Sequence, residues 1–303
     1  MPNFKTCFIA AFRRAALAAV TVLVACAETA PVGESYPPLW KITAPDGMEA
    51  HLFGSVHMLP KNIAWRSPAF EAAFAQADRL VLEVSAAELS SSAAASHIAA
   101  HGRLPANETL ADHLTPKDYA TVMAAAETYS LSETQFIRTA PWLATLQLAV
   151  SAVAADGGAA EAGVETVLAA DAKVLGVPVE GLEQLDDHLD TLSGLPMAAQ
   201  VDMLVQTAED AAAGPIRIDA LVAVWRTGDL ARLETELLGP LKENAALYDA
   251  LIAKRNKAWT EKIVRFDAND GRPFIAVGAA HLPGEDGLLT LLHAEGFRVE
   301  MVR

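Results

Sequence analysis

Two copies of one short pattern constrain this 303-residue chain more than any other feature. In each copy an apolar run ends at a glycine, and a histidine follows three residues later: Gly54 precedes His57, and Gly278 precedes His281. Leu-Pro, a helical stretch and another apolar run follow both copies. Short, continuously apolar runs are typical of strands buried on both faces of a sheet. The pattern predicts an α/β fold in which the two loops lie side by side at the carboxyl ends of neighbouring strands.

The remaining sequence alternates between strands and long helical stretches. Further apolar runs predict strands at residues 79–84, 177–180 and 297–302. Ser67-Pro68 predicts the start of a helix before the first of these strands, and helical periodicity dominates residues 86–175 and 196–265. We expect a central sheet of short buried strands flanked by helices, with pseudo-repeated strand-Gly-x-x-His-helix-strand units and a large helical insertion.

The N-terminus has the pattern of an exported protein. A basic start precedes an apolar stretch, residues 15–25, that is too short to span a bilayer comfortably. The sequence Leu-Val-Ala-Cys26 resembles the bacterial lipobox, in which the cysteine becomes the lipidated first residue of the mature chain. An ordinary signal-peptidase site at Ala-Cys-Ala is the alternative. We expect residues 1–26 to be a signal peptide, 27–38 a polar tether and 39–303 the folded domain.

Location and partners follow from this leader and from the charge. Lipidation at Cys26 predicts a membrane anchor, and Ala27 stands where an inner-membrane retention signal has Asp. We therefore expect the periplasmic side of the envelope, at the outer membrane. The formal net charge of -15 argues against a nucleic-acid partner, because no basic run is available to contact phosphates.

Three residues have the chemistry of a metal site. His57 and His281 project from equivalent loops, and Glu83 ends an apolar run where a carboxylate is costly unless it is paired, protonated or bound to a metal. Two imidazoles and a carboxylate commonly bind a divalent ion and leave positions open for water and substrate. The alternative is that each histidine only hydrogen-bonds its loop and that Glu83 lies at the solvated end of its strand.

Other motifs narrow the chemistry further. The sequence has no Gly-x-Ser-x-Gly, Walker loop or His-Glu-x-x-His, which argues against the common serine-hydrolase, nucleotide-binding and zincin sites. Five other histidines lack a matching motif, and for them we expect surface or packing roles: His97, His101, His113, His188 and His293.

Several segments, in order, make the chain similar to the TraB/GumN family: PLWKI at 38–42, LFGSVH at 52–57, LVLE at 80–83, PW at 141–142, GLE at 181–183, RN at 255–256 and VGAAHLPG at 277–284. The resemblance assigns the paired Gly-x-x-His motifs to the two loops named above and the strand carboxylate to Glu83. It also singles out Glu183, Arg255 and Asn256. Arg255 is interpreted either as a partner of Glu83 or of a substrate carboxylate, or as a residue of a surface helix.

The resemblance also implies an activity. The family is related to the Tiki proteins, which are regarded as metal-dependent proteases, and more distantly to ChaN-like and erythromycin-esterase-like proteins. It implies a hydrolase, foremost a peptidase acting on a peptide or protein, and we expect Glu83 to be a ligand or the general base. The sequence does not identify the metal, because divalent Mn, Co, Zn and Fe all accept such ligands. The alternative is an envelope lipoprotein that binds haem or a peptide without turnover. Where relatives often carry Gly-x-Asp, this chain has Gly-Val-Glu165, and the sequence assigns that glutamate no role.

Overall fold

The computed structural model describes residues 36–89, 91–214, 218–267 and 271–302. The leader expected at 1–26, with Cys26, lies outside the described residues, as does most of the expected tether. Within the described part, six strands form one sheet in the order β4-β3-β5-β2-β1-β6. The strands are β1 (Leu39–Thr43), β2 (Glu49–Ser55), β3 (Arg79–Leu82), β4 (Val179–Gly181), β5 (Pro273–Gly278) and β6 (Arg298–Val302). β2, β5, β3 and β4 run parallel, and β1 is antiparallel to both of its neighbours.

Helices cover both faces of the sheet and form a separate layer. The first group is α1 (Pro68–Phe74), α2 (Ala86–Leu89), α3 (Ser92–His101), α4 (Pro116–Thr128), α5 (Glu133–Phe136), α6 (Pro141–Ala155) and α7 (Val164–Leu175). The second group is α8 (Leu185–Ser193), α9 (Met197–Ala213), α10 (Ile218–Thr227), α11 (Leu230–Leu233), α12 (Gly239–Lys242), α13 (Ala245–Tyr248), α14 (Lys254–Ile263) and α15 (Leu288–Ala294). Single π-helical turns, Glu234–Leu238 and Asp249–Ala253, connect α11 to α12 and α13 to α14.

The central strands of the sheet are buried on both faces, because their apolar side chains alternate in direction and helices cover each face. Phe53 and Phe274 point to the face that is covered by α1, α7 and α10. Leu52 and Ile275, their chain neighbours, point to the face that is covered by α14 and α15. The result is a three-layer arrangement with an apolar core on each side of the sheet, which confirms the predicted α/β class.

A third core lies among helices alone. Buried side chains of α4, α6 and α9, among them Val122, Leu148 and Leu204, pack together. This layer corresponds to the predicted helical insertion. Among the described residues, no helix is long and apolar enough to cross a membrane.

The internal repeat predicted from the sequence has a direct structural counterpart. β2 and β5 are adjacent and parallel, with Gly54 opposite Val277 and Ser55 opposite Gly278, so the two Gly-x-x-His loops leave the sheet side by side. The two copies differ in the position of their second strand. In the first copy this strand is β3, which pairs with β5; in the second copy it is β6, which pairs with β1 at the edge of the sheet. The pattern had not predicted β1 as a strand, although Leu39 is buried within it.

Candidate active site

The carboxyl ends of four parallel strands bring polar side chains to one edge of the sheet. Glu83 follows β3, Glu183 follows β4, His281 follows β5 and His57 follows β2. Because parallel strands all end at the same edge, residues that are far apart in the chain lie together there. Gly54, near the end of β2, accepts a hydrogen bond at its carbonyl oxygen from Trp225 Nε1 (2.7 Å), which ties this strand end to α10.

Arg255, on α14, joins the two glutamates. Its Nη2 lies 2.7 Å from Glu83 Oε2 and 2.7 Å from Glu183 Oε1, and its Nε donates to both oxygens of Glu183 at 3.2 Å. The guanidinium carbon lies 4.5 Å from the ring centre of Trp259, whose indole Nε1 also donates to Glu183 (3.1 Å). All these side chains are largely buried, so Arg255 belongs to the site and not to a surface helix.

Glu83 is ionised despite its burial. Burial would raise the pKa of this carboxyl, but nearby positive charge, with Arg255 in direct contact, and a hydrogen bond from the Gly278 amide (2.7 Å) hold its pKa well below the ordinary range. The carboxylate therefore lies in the site as an acceptor for donors or for a cation.

His281 is buried and neutral, with a defined tautomer. Arg255 Nη1 lies 3.2 Å from Nε2, and Asn256 Oδ1 lies 2.7 Å from Nδ1. Because a guanidinium can only donate, Nε2 accepts and the proton resides on Nδ1, where Asn256 binds it. Burial lowers the pKa of His281 to about 4. Asn256 also donates to the carbonyl oxygens of His281 and Asp286, so a fully buried amide holds the ring and its loop.

His57 differs in its environment from His281. Its side chain is 70 % exposed, and its Nδ1 lies 2.9 Å from Glu165 Oε1. The hydrogen bond and the charge of Glu165 raise the pKa of His57 to about 9. Ser55 Oγ donates to the same carboxylate oxygen.

Atoms of the three predicted metal ligands surround the space at Gly278, but among the described residues the side chains whose ligand atoms all lie within 4.8 Å of one another are those of Glu83, Glu183 and His188. A Cβ built on Gly278 would lie 3.1 Å from Glu83 Oε1, 3.5 Å from His281 Cδ2 and 3.9 Å from His57 Nε2. His281 Nε2 lies 3.8 Å from Glu83 Oε1. The absence of a side chain at Gly278 thus leaves a small cradle that is lined by two imidazoles and a carboxylate.

Two further residues join the site that the sequence pattern did not select. His188, on α8, has its Nδ1 2.7 Å from Glu183 Oε1, and one ligand atom each from Glu83, Glu183 and His188 lies within 4.8 Å of the others. Glu165 contacts His57 as described above. The available signals were the Glu-x-x-x-x-His spacing that follows Gly-Leu, and the position of Glu165 in the first turn of a helix.

A cavity of about 720 Å³ opens beside the cluster. Glu183, Arg255 and Trp259 form its inner wall, and residues of α8, α13 and α14 form the sides. Asp187 and Lys254 add charge of both signs along these sides.

The fold and the site define a class: an α/β protein whose paired histidine loops and buried glutamates converge at the carboxyl edge of a parallel sheet. The chain belongs to the TraB/PrgY/gumN family, whose family model matches residues 38–301. The match covers nearly all of the described residues and includes every residue of the site.

Two curated relatives are similar over most of their length. Both are described as "Uncharacterized protein YbaP", one from Shigella flexneri and one from Escherichia coli (strain K12). Each is 27 % identical over 258 residues, which cover 84 % of this chain and 92 % of the relative. No solved structure gives a significant match.

Proposed function

We propose that this protein is a metal-dependent hydrolase that cleaves peptide bonds. The observation that carries the proposal is the cradle at Gly278, where His57, Glu83 and His281 face one small space at the edge of a parallel sheet. Open α/β sheets bind their ligands at this edge.

The donor set suits a divalent transition metal. Glu83 is already ionised. An ion at the cradle would take the lone pair of His281 Nε2 in place of the hydrogen bond from Arg255, and it would displace the Nε2 proton of His57 while Glu165 holds Nδ1. A separation of 3.8 Å between His281 Nε2 and Glu83 Oε1 is compatible with two ligands of one ion at bond lengths of about 2.1 Å. A bound Mn, Co, Zn or Fe ion would polarise a substrate carbonyl and lower the pKa of a bound water.

Residues beside the cradle would bind the substrate and stabilise the charge that develops on it during hydrolysis. The guanidinium of Arg255 borders the cavity, and its positive charge would favour a carbonyl oxygen that gains negative charge during hydrolysis, although its N–H groups are already bound within the protein. Glu183 and Trp259 hold that guanidinium in one orientation. Glu83 anchors Arg255 and contributes a carboxylate to the cradle.

The test is digestion of an unbiased peptide library with added Mn, Co or Zn. We expect cleavage by the wild-type protein, and loss of cleavage in Glu83→Gln. Glu161→Gln changes an exposed carboxylate that pairs with Lys61, and it should retain activity. Equal cleavage by wild type and Glu83→Gln would reject the proposed site. No cleavage, together with a Soret shift on haem titration that His57→Ala abolishes, would favour haem binding without turnover.

We further propose that the protein is exported and anchored at the periplasmic side of the outer membrane through Cys26. The support is the lipobox-like sequence alone, because Cys26 lies outside the described residues. Detergent phase partition of wild type and Cys26→Ser tests this anchor. Wild-type protein found entirely in the soluble periplasmic fraction would instead indicate ordinary signal-peptidase cleavage.

A further inference from the structure

The loop that carries His57 is fixed by the start of α7. Val164 N donates to the carbonyl oxygen of Val56 (3.1 Å), and Leu59 and Ala159 exchange backbone hydrogen bonds of 3.3 and 2.9 Å. A Cβ at Gly163 would lie 2.0 Å from the carbonyl oxygen of His57, so only glycine permits this approach. The backbone of the loop and the first turn of the helix therefore form one unit.

This unit places the carboxylate of Glu165 against Nδ1 of the His57 imidazole. The Glu165 side chain is only 18 % exposed, and its Oε1 accepts hydrogen bonds from both His57 Nδ1 and Ser55 Oγ. Glu165 lies in the first turn of α7, where the helix dipole favours a carboxylate. A solvated surface ion pair would have neither the burial nor the second donor.

The geometry of the pair determines which nitrogen of His57 is available. Because a carboxylate can only accept, the proton on Nδ1 is held by Glu165. In the neutral ring the lone pair is then on Nε2, the atom that faces the cradle at Gly278. Carboxylates that bind the second nitrogen of a histidine orient it in this way at many metal sites.

We propose that Glu165 is a positioning residue that holds His57 in the Nδ1–H tautomer with Nε2 directed at the cradle. Its effect on metal affinity rests on the proposed function, whereas its effect on the tautomer does not. The inference assigns a role to the Gly-Val-Glu segment of this chain.

The test uses two readouts on Glu165→Ala, Glu165→Gln and the control Glu161→Ala. The first is the tautomer of His57 by nitrogen NMR of metal-free protein, at a pH where the ring is neutral. The second is affinity for Mn, Co and Zn by calorimetry. Glu161 lies in the same segment but is exposed and pairs with Lys61.

We expect the Nδ1–H form in wild type and in Glu161→Ala, and a shift towards Nε2–H in Glu165→Ala. Metal affinity should fall by about 10- to 100-fold in Glu165→Ala. Glu165→Gln retains an acceptor and should restore the tautomer. An unchanged tautomer in folded Glu165→Ala would overturn the inference. If wild type binds no metal but the tautomer shifts, the positioning role stands and the proposed function fails.

Discussion

Arg255 is the residue on which the charge balance of the site depends. It binds Glu83 and Glu183, and both carboxylates are buried. Removing one partner of a buried ion pair leaves an uncompensated charge, which typically costs about 3–5 kcal/mol. We expect Arg255→Met to lower the free energy of unfolding, measured with urea on metal-free protein, by an amount of this size.

Arg232→Met is the matched control for this substitution. Arg232 pairs with Glu236 one helical turn away, and both side chains are partly exposed. Pairs of this kind contribute about 0.3–0.5 kcal/mol. A similar loss in the two variants would show that the buried cluster does not need the charge of Arg255.

The two histidines of the repeat should differ in their effect on stability. His281 is buried, and its Nδ1 proton satisfies Asn256 Oδ1. His281→Leu removes the donor and leaves that acceptor unpaired, which costs about 1–3 kcal/mol. His57→Asn changes an exposed side chain whose ion pair with Glu165 is weakened by solvent, so it should cost less stability than His281→Leu. Thermal or urea unfolding in chelator measures both, and a larger loss for His57→Asn would contradict the burial of the two rings.

β5 ends at Gly278, whose missing side chain leaves the space that forms the cradle. In Gly278→Ala the new methyl group would lie 3.1 Å from Glu83 Oε1 and close to both histidines. We expect metal affinity to fall at least about tenfold, because a second group now occupies the space between the ligands. Gly239→Ala is the control, since a Cβ there meets nothing within 4 Å. Unchanged affinity in Gly278→Ala would place the metal site elsewhere.

The sequence predicted the elements whose local signals agreed with their tertiary environment. β5 has a continuous apolar run, β2 has the apolar pair Leu52-Phe53 before Gly54, and Ser67 with Pro68 marks the start of α1, where Ser67 Oγ accepts from Phe70 N. The repeat also predicted that β2 and β5 lie side by side in the sheet. β1 was missed because it begins directly after Pro37-Pro38 in a segment that reads as a tether, and its position depends on antiparallel pairing with β2 and β6.

The site could be predicted only where a motif marked it. His57, His281 and Glu83 carry repeated or costly patterns in the sequence. His188 and Glu165 lie on helices where a single polar residue is ordinary, and they reach the site only because α8 and α7 begin at the same edge of the sheet. Such convergence depends on the packing of distant elements, which periodicity along the chain does not encode.

At the scale of the whole molecule, two histidines give stability opposite dependences on pH. The pKa of His281 is lowered to about 4, so its contribution is complete above the ordinary value of 6.5 and is lost as the pH falls towards 4. The pKa of His57 is raised to about 9, so its contribution is complete below 6.5 and is lost as the pH rises through 9. We expect metal-free protein to be most stable near neutral pH.

Urea midpoints measured from pH 4 to pH 9 test this balance. Stability should change more steeply with pH on the acid side than on the alkaline side. His281 is buried, whereas solvent weakens the ion pair between the exposed His57 and Glu165. One proton corresponds to about 1.4 kcal/mol per pH unit. His281→Asn should flatten the acid side, and an unchanged acid slope in that variant would show that folding does not lower the pKa of His281.

The amount of metal that the purified protein retains shows whether the cradle at Gly278 is a metal site. Wild-type protein and the His57→Ala/His281→Ala double variant would be purified, loaded with Mn, Co or Zn, dialysed and analysed for bound metal. If the cradle at Gly278 is a metal site, wild type should retain about one ion per chain and the folded double variant very little. Equal metal content in the two proteins would contradict the account.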